Sequence, residues 1–180
     1  MKKRAGGIYT IFVIIISLIL ISATAWLAVE TMKSHNYRKG LALMEKGDYR
    51  EAVLRFENAA RYSLRPDTAV LMALADSRLA IGDIAGAKES FEKVLSAEPG
   101  SARARYNLGK IYLGEKDFDA VRNEISKLEE LNTEEARGYA EELKTELRGG
   151  VVKGFFDDIL KKIMPELPDA LKEAVPGWEE

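Results

Sequence analysis

The segment KGDYREAVLRF, Lys46 to Phe56, has the pattern of a tight turn followed by the start of a helix. The same skeleton recurs in IGDIAGAKESF, Ile81 to Phe91, and in EKDFDAVRNEI, Glu115 to Ile125. The three copies begin 35 and 34 positions apart, and apolar residues recur at helical spacing on both sides of each turn. The pattern therefore predicts a helix-turn-helix unit that occurs three times.

Each turn carries residues suited to ending one helix and starting the next. An aspartate can accept hydrogen bonds from the free amides of the following helix, which predicts N-caps at Asp48, Asp83 and Asp117. Gly47 and Gly82 suit the left-handed end of the preceding helix. Small residues at one equivalent position predict close packing within each helix pair, with Gly40, Ala75 and Gly109 opposite Ala52, Ala87 and Val121.

Three short motifs carry a resemblance to a known family: KGDYREA (residues 46–52), AEPGSA (97–102) and NLGKIY (107–112). Together with the spacing, they resemble the tetratricopeptide repeat, a helix-turn-helix unit of 34 residues. The resemblance implies an all-α fold, a right-handed α-solenoid of three repeats over residues 33–134, divided into 33–67, 68–101 and 102–134. The sequence departs from the family where Asn36 and Arg105 replace the usual tryptophan, and the third repeat lacks a closing proline.

A capping helix is predicted after the third repeat, because the last repeat of a stack needs a partner with one polar face. Thr133 is its predicted N-cap, and the helix is expected over residues 134–148, ending before Gly149. Its apolar residues form a single stripe: Ala136, Tyr139, Ala140, Leu143 and Leu147.

The N-terminus combines a basic segment, residues 1–7, with an uncharged run of 22 residues from Ile8 to Val29. As a helix the run spans about 33 Å, close to the thickness of a bilayer's hydrocarbon core. It predicts a single transmembrane helix over residues 8–29. The alternative is a signal peptide cleaved after Ala23-Thr24-Ala25, although the apolar run continues past that site.

Charge bias predicts the orientation of this helix. The basic residues Lys2, Lys3 and Arg4 favour a cytoplasmic N-terminus, with the repeats outside the cytoplasm. The expected location is a bacterial-type inner membrane, with the repeats in the periplasm.

The C-terminal tail, residues 151–180, begins with the segment VVKGFFDDILKKIM, Val151 to Met164. Its pairs of apolar and polar residues place eight apolar side chains on one face of a helix. Either this helix folds back to cover apolar surface on the repeats, or it docks onto a partner or a membrane surface.

Composition and motifs indicate a non-enzymatic protein. The 27 basic and 29 acidic residues give no basic surface for nucleic acid, and cysteine is absent. The single histidine, His35, stands in no motif, and no phosphate-binding or zinc-protease pattern occurs. We therefore expect no cofactor and no small-molecule substrate.

The resemblance assigns ligand binding to the concave groove formed by the first helix of each repeat. The predicted groove residues form an apolar floor with cations at one end: Tyr37, Leu41, Met72, Asp76, Arg103, Tyr106 and Lys110. The alternative for Leu41, Met44 and Leu79 is packing against neighbouring helices. The expected partner is a protein or peptide segment.

The predicted function is a membrane-anchored scaffold or adaptor in envelope assembly, secretion or quality control. The alternative is an accessory or chaperone-like subunit of a membrane complex that docks through its C-terminal helix.

Overall fold

The structure, a computed structural model, describes residues 3–63 and 65–163. In those ranges the chain forms seven α-helices and no strand, which confirms the predicted all-α fold class. The helices are α1 (Lys3–Glu45), α2 (Tyr49–Arg61), α3 (Thr68–Ala80), α4 (Ile84–Ala97), α5 (Ala102–Gly114), α6 (Phe118–Glu130) and α7 (Glu134–Ile163). They divide into two compact units, unit 1 (Met1–Pro99) and unit 2 (Gly100–Glu180).

Unit 1 contains two helix pairs, α1 with α2 and α3 with α4. Its core includes Ala52, Val53, Phe56, Ala59, Val70, Ala73 and Leu74. A Cβ at Gly40 would lie 2.6 Å from Cε1 of Phe56, so the glycine makes room for the buried ring. The small residue predicted at this position is therefore required, but its nearest neighbour is Phe56 rather than Ala52, because the larger ring fills the space that the missing side chain leaves.

The three turns keep the predicted design with two exceptions. Asp83 and Asp117 accept hydrogen bonds from the amides three residues on, each at 3.0 Å. Asp48 occupies the N-cap position of α2 without a side-chain capping bond, so that part of the prediction is wrong. Gly82 has a left-handed φ of 79°, whereas Lys116 adopts the same region at the third turn with a φ of 59°.

An arginine joins three helices of unit 1. The Arg78 guanidinium, on α3, donates to Glu57 of α2 at 2.7 Å. It also donates to the Gly86 carbonyl at 3.0 Å and to the Ser90 hydroxyl at 2.9 Å, both on α4. Arg78 therefore bonds the first repeat to the second through side-chain contacts.

Unit 2 contains the third helix pair and α7. The core lies between α5, α6 and α7 and includes Ala102, Val121, Ile125, Leu128, Ala136, Ala140 and Leu143. A Cβ at Gly109 would lie 2.6 Å from Cδ1 of Leu143, so α7 packs directly over this glycine. Thr133 accepts a bond from the Ala136 amide at 3.2 Å, as expected for the N-cap of a capping helix.

Helix α7 is longer than predicted. It runs without interruption from Glu134 to Ile163, so the predicted end at Arg148 and Gly149 is wrong. Two helical glycines cost about 2 kcal/mol relative to alanine, and the strong helix formers that precede them, EELKTELR (residues 141–148), offset that cost. At Gly150 the helix passes close to Phe118, whose Cε1 would be in ordinary van der Waals contact with an added Cβ, at 3.6 Å.

The tail helix does not cover the repeats over its described length. Because α7 continues straight, residues 151–163 extend about 20 Å beyond Gly150. Most side chains from Val151 to Lys162 are exposed, so the expectation that this segment folds back is wrong for them. Residues 164–180 of the predicted tail lie outside the described residues.

Helix α1 joins the predicted transmembrane segment to the first repeat without a break. Every side chain from Tyr9 to Ala28 is exposed, so unit 1 does not use this segment as a core helix. By length and composition, α1 is the one helix among the described residues that could cross a membrane.

Candidate functional site

The four predicted groove residues of unit 1 lie on α1 and α3. Tyr37 packs against the core, with its ring 5.9 Å from the Phe56 ring and tilted by 55°. Leu41 packs against the same core and keeps partial exposure, which matches the alternative of helix packing. Met72 and Asp76 lie one turn apart on α3, and both are half-buried.

In unit 2, the predicted groove residue Tyr106 belongs to a cluster between α5 and α7. Its ring stacks on Tyr139 with centroids 4.5 Å apart and planes inclined by 21°. Its hydroxyl donates to Glu142 at 2.5 Å. That bond, with partial burial, raises the pKa of Tyr106 to about 12, and burial raises the pKa of Tyr139. We name Tyr106, Tyr139 and Glu142 the tyrosine cluster.

The expected cationic end of the groove is altered by α7. Lys110 forms an ion pair with Glu146 at 2.5 Å, so its charge is offset. The positive charge of Arg103 acts on Tyr139 and opposes the rise in the pKa of that phenol. The surface in unit 2 is therefore a tyrosine platform with charges of both signs, in which the predicted cation Lys110 is paired with Glu146.

Sequence reasoning missed Tyr139, Glu142 and Glu146 as members of this surface. All three lie on α7, which occupies the position beside α5 that the first helix of a fourth repeat would have. The signal was the spacing, since Tyr139 follows Tyr106 by about one repeat length, and the two polar contacts each join residues 36 positions apart. The prediction of a capping helix does not include this relation.

A second candidate surface lies on the C-terminal half of α7. Its exposed apolar side chains, named here the tail surface, are Val151, Val152, Phe155, Phe156 and Leu160. Phe155 and Phe156 are 63% and 58% exposed, which is unusual for large aromatic side chains. A cleft of about 920 Å³ lies beside them in unit 2, lined also by Leu113 and Phe118.

The described residues give no support for metal-dependent chemistry. In residues 3–63 and 65–163, no three His, Asp or Glu side chains are grouped so that they could hold a metal ion. The raised pKa of Tyr106 is caused chiefly by its hydrogen bond to Glu142, and that of Tyr139 chiefly by burial and then by the charge of Glu135.

Comparison with known families decides the identity of the fold. Two family models, both described as tetratricopeptide repeat, match residues 37–76 and 78–143, together more than half of the chain. The chain is a tetratricopeptide repeat protein. No curated protein is significantly similar to it.

Solved structures with the same fold include several secretion chaperones. The Yersinia enterocolitica type III secretion chaperone SycD, in complex with a peptide of the translocator YopD, is 16% identical, with a TM-score of 0.59 over 67% of this chain and 93% of that one. PcrH from Pseudomonas aeruginosa is 15% identical, with a TM-score of 0.58 over 68% and 93%. The Sgt2 repeat domain from Aspergillus fumigatus is 20% identical, with a TM-score of 0.55 over 64% and 79%. At these identities the similarity establishes the fold alone.

The two departures from the repeat signature have local explanations in the structure. Asn36 is buried, and its amide donates to the Met32 carbonyl at 2.9 Å. Arg105 pairs at 3.3 Å with Glu124, which is 5% exposed. At both positions polar bonds within the repeat replace the packing of the usual tryptophan.

Proposed function

We propose that this tetratricopeptide repeat protein is a membrane-anchored adaptor that binds a segment of a protein partner. The observation that carries the binding role is the tyrosine cluster. Two stacked aromatic rings offer a large apolar contact area, and Arg103 and Glu142 beside them can pair with a partner's polar groups. The peptide that occupies the related fold of SycD is consistent with this role.

The anchor in this proposal is the first part of α1. Residues 9–28 are apolar and exposed, and a helix of this length spans the hydrocarbon core of a bilayer. The basic residues Lys2, Lys3 and Arg4 favour a cytoplasmic N-terminus, which would place the repeats in the periplasm of a cell with two membranes. A role in envelope assembly, secretion or quality control follows from that location.

A second candidate is an accessory subunit that docks through the tail surface. The exposure of Phe155 and Phe156 favours it, because a contiguous apolar surface of this kind usually marks an interaction site. On this alternative the essential contact is made by α7 and the partner does not touch the tyrosine cluster.

Two pairs of substitutions separate these candidates. A photocrosslinker placed at Arg103 in intact membranes would identify a partner at the cluster, and the purified partner would then be titrated against variants of the full chain. Tyr106→Ala with Tyr139→Ala should weaken binding at least about tenfold, since interface anchors contribute about 1–4 kcal/mol each. Phe155→Ser with Phe156→Ser should leave binding unchanged.

The control variant is Leu54→Ser, which removes an apolar side chain that is 59% exposed on α2. Circular-dichroism melts would verify that each variant is folded. If binding survives the tyrosine variants and is lost with the phenylalanine variants, the tail surface is the recognition element and the groove proposal is refuted.

The anchor has its own test. A retained anchor predicts resistance to carbonate extraction and a mature chain that begins at Met1 or Lys2. A mature N-terminus at Trp26 would show that the segment is a cleaved signal. Because the chain lacks cysteine, a single Cys can be introduced at an exposed residue such as Ser96. Labelling of this Cys from outside the cell with an impermeant maleimide establishes the side of the membrane on which the repeats lie.

A further inference from the structure

On α1, the buried part of unit 1 begins directly after the apolar run that forms the proposed anchor. Along α1, Trp26 and Leu27 are exposed, whereas Val29 and Glu30 are already half-buried. Three residues of helix correspond to about 4.5 Å, so no spacer separates Trp26 from the repeats. If residues 8–29 span a bilayer, this end of unit 1 lies against the lipid headgroups.

A cleft opens at this level between α1 and the residues that join α2 to α3. It measures about 470 Å³, and its lining includes Trp26, Val29, Lys33, Tyr62 and Arg65. Trp26 and Tyr62 present aromatic rings of the kind that favour the membrane interface. Arg65 adds an exposed guanidinium that can donate to an anion, whereas Lys33 lines the cleft together with the carboxylates of Glu30 and Asp67.

The acidic groups near the cleft are already paired. Lys33 lies 2.8 Å from a Glu30 carboxylate oxygen and 3.4 Å from one of Asp67. Asp67 also accepts a bond from the Val70 amide as the N-cap of α3. Arg61 and Arg65 are both exposed, so their guanidinium groups are accessible at this end of the unit.

We infer that this end of unit 1 is a second membrane contact, in which Arg65 in the cleft and Arg61 just before it bind the phosphate of a phospholipid headgroup. The inference rests on the proposed anchor and adds a lipid-binding site to it. Arginine suits this role because its guanidinium matches the geometry of a phosphate. The site would hold the anchor-facing end of the first repeat against the membrane surface.

The test uses the full chain reconstituted in nanodiscs of phosphatidylcholine and phosphatidylglycerol. The chain has no cysteine, so a fluorophore can be attached at Ala69→Cys, an exposed position near the cleft, and its quenching by lipids with a nitroxide on the headgroup measured. A label at Glu45→Cys, about 24 Å further along α1 than Val29, should not be quenched. Tryptophan quenching in a Trp178→Phe background reports the position of Trp26 separately.

Charge reversals at the two ends of α2 provide matched variants. Arg61→Glu with Arg65→Glu should reduce quenching of the Ala69 label, because each basic residue at an anionic surface shifts binding about fivefold. Lys46→Glu with Arg50→Glu changes the net charge by the same amount at the other end of α2. This pair should leave the quenching of the Ala69 label unchanged.

The outcomes distinguish the inference from the anchor proposal. If Trp26 is quenched while the Ala69 label is not, or if both pairs of charge variants act alike, the anchor stands and the second contact is refuted. If an acidic peptide, but not lipid, shields the Ala69 label, and if Arg61→Glu with Arg65→Glu removes this effect, the site binds protein and the lipid assignment is wrong. Absence of Trp26 quenching would refute both proposals.

Discussion

The contact between Gly109 and Leu143 can be measured with a double-mutant cycle. Leu143 is fully buried, so Leu143→Ala should cost about 2–5 kcal/mol of unfolding free energy. Gly109→Ala places a Cβ 2.6 Å from Cδ1 of Leu143, closer than carbon atoms approach in real structures. The resulting overpacking costs about 1–3 kcal/mol, and the better helix propensity of alanine recovers about 1 kcal/mol.

The double variant should be more stable than the two single losses predict. The new methyl group at position 109 enters space that the shortened side chain at 143 vacates, so a favourable coupling of about 0.5–3 kcal/mol is expected. Urea denaturation of the detergent-solubilised full chain, followed by circular dichroism, gives the four unfolding free energies.

A glycine elsewhere on α7 supplies the control. Gly138 has no atom within 4 Å of its added Cβ, so Gly138→Ala should stabilise the protein by up to about 1 kcal/mol. Coupling between Gly138→Ala and Leu143→Ala should be absent. If Gly109→Ala and Leu143→Ala are additive within about 0.5 kcal/mol, α7 does not pack over Gly109 and the arrangement of unit 2 is wrong.

Four further substitutions test local features by thermal or urea unfolding. Asp83→Ala should cost about 1 kcal/mol because it removes a formed N-cap bond, whereas Asp48→Ala should cost less; equal losses would contradict the difference between the two caps. Lys116→Gly should stabilise the third turn by about 1 kcal/mol, since glycine adopts a positive φ without strain, and a loss of stability there would show that φ is not positive. The raised pKa of Tyr106 means that the folded state holds the phenol proton more tightly than the unfolded state, so its contribution is complete below pH 10 and is lost as the pH rises towards about 12. Tyr106→Phe should therefore narrow the difference in melting temperature between neutral and strongly alkaline solution, and an unchanged alkaline loss would show that the bond to Glu142 is not its source.

The repeat itself could be predicted because its determinants are local in sequence. A cap such as Asp83 acts on amides three residues away, and Gly82 is required by its own backbone angle, so each is visible in a short segment. The continuity of α7 through Gly149 and Gly150 could not be predicted in the same way. It depends on a balance between glycine's modest cost and the helical preference of two flanking segments.

The proposed binding surface is only partly predictable, for a different reason. The place of Tyr106 on the first helix of a repeat predicts it, but its neighbours Tyr139 and Glu142 belong to a helix beyond the three predicted repeats. Which side chains meet across helices depends on packing between residues far apart in the chain. A predicted cation such as Lys110 can therefore be offset by a carboxylate that no motif indicates.

If the proposed anchor spans a membrane, the uninterrupted course of α1 connects the position of the first turn to the thickness of the bilayer. An apolar segment longer than the hydrocarbon core tilts to match it, typically by about 20°. Because no hinge separates Val29 from Glu45, the 16 residues between them act as a rigid arm of about 24 Å. A tilt of about 20° then moves the far end of this arm sideways by about 8 Å and lowers it by only about 1.5 Å. In the anchored protein, bilayer thickness would therefore shift the Lys46–Asp48 turn mainly parallel to the membrane surface.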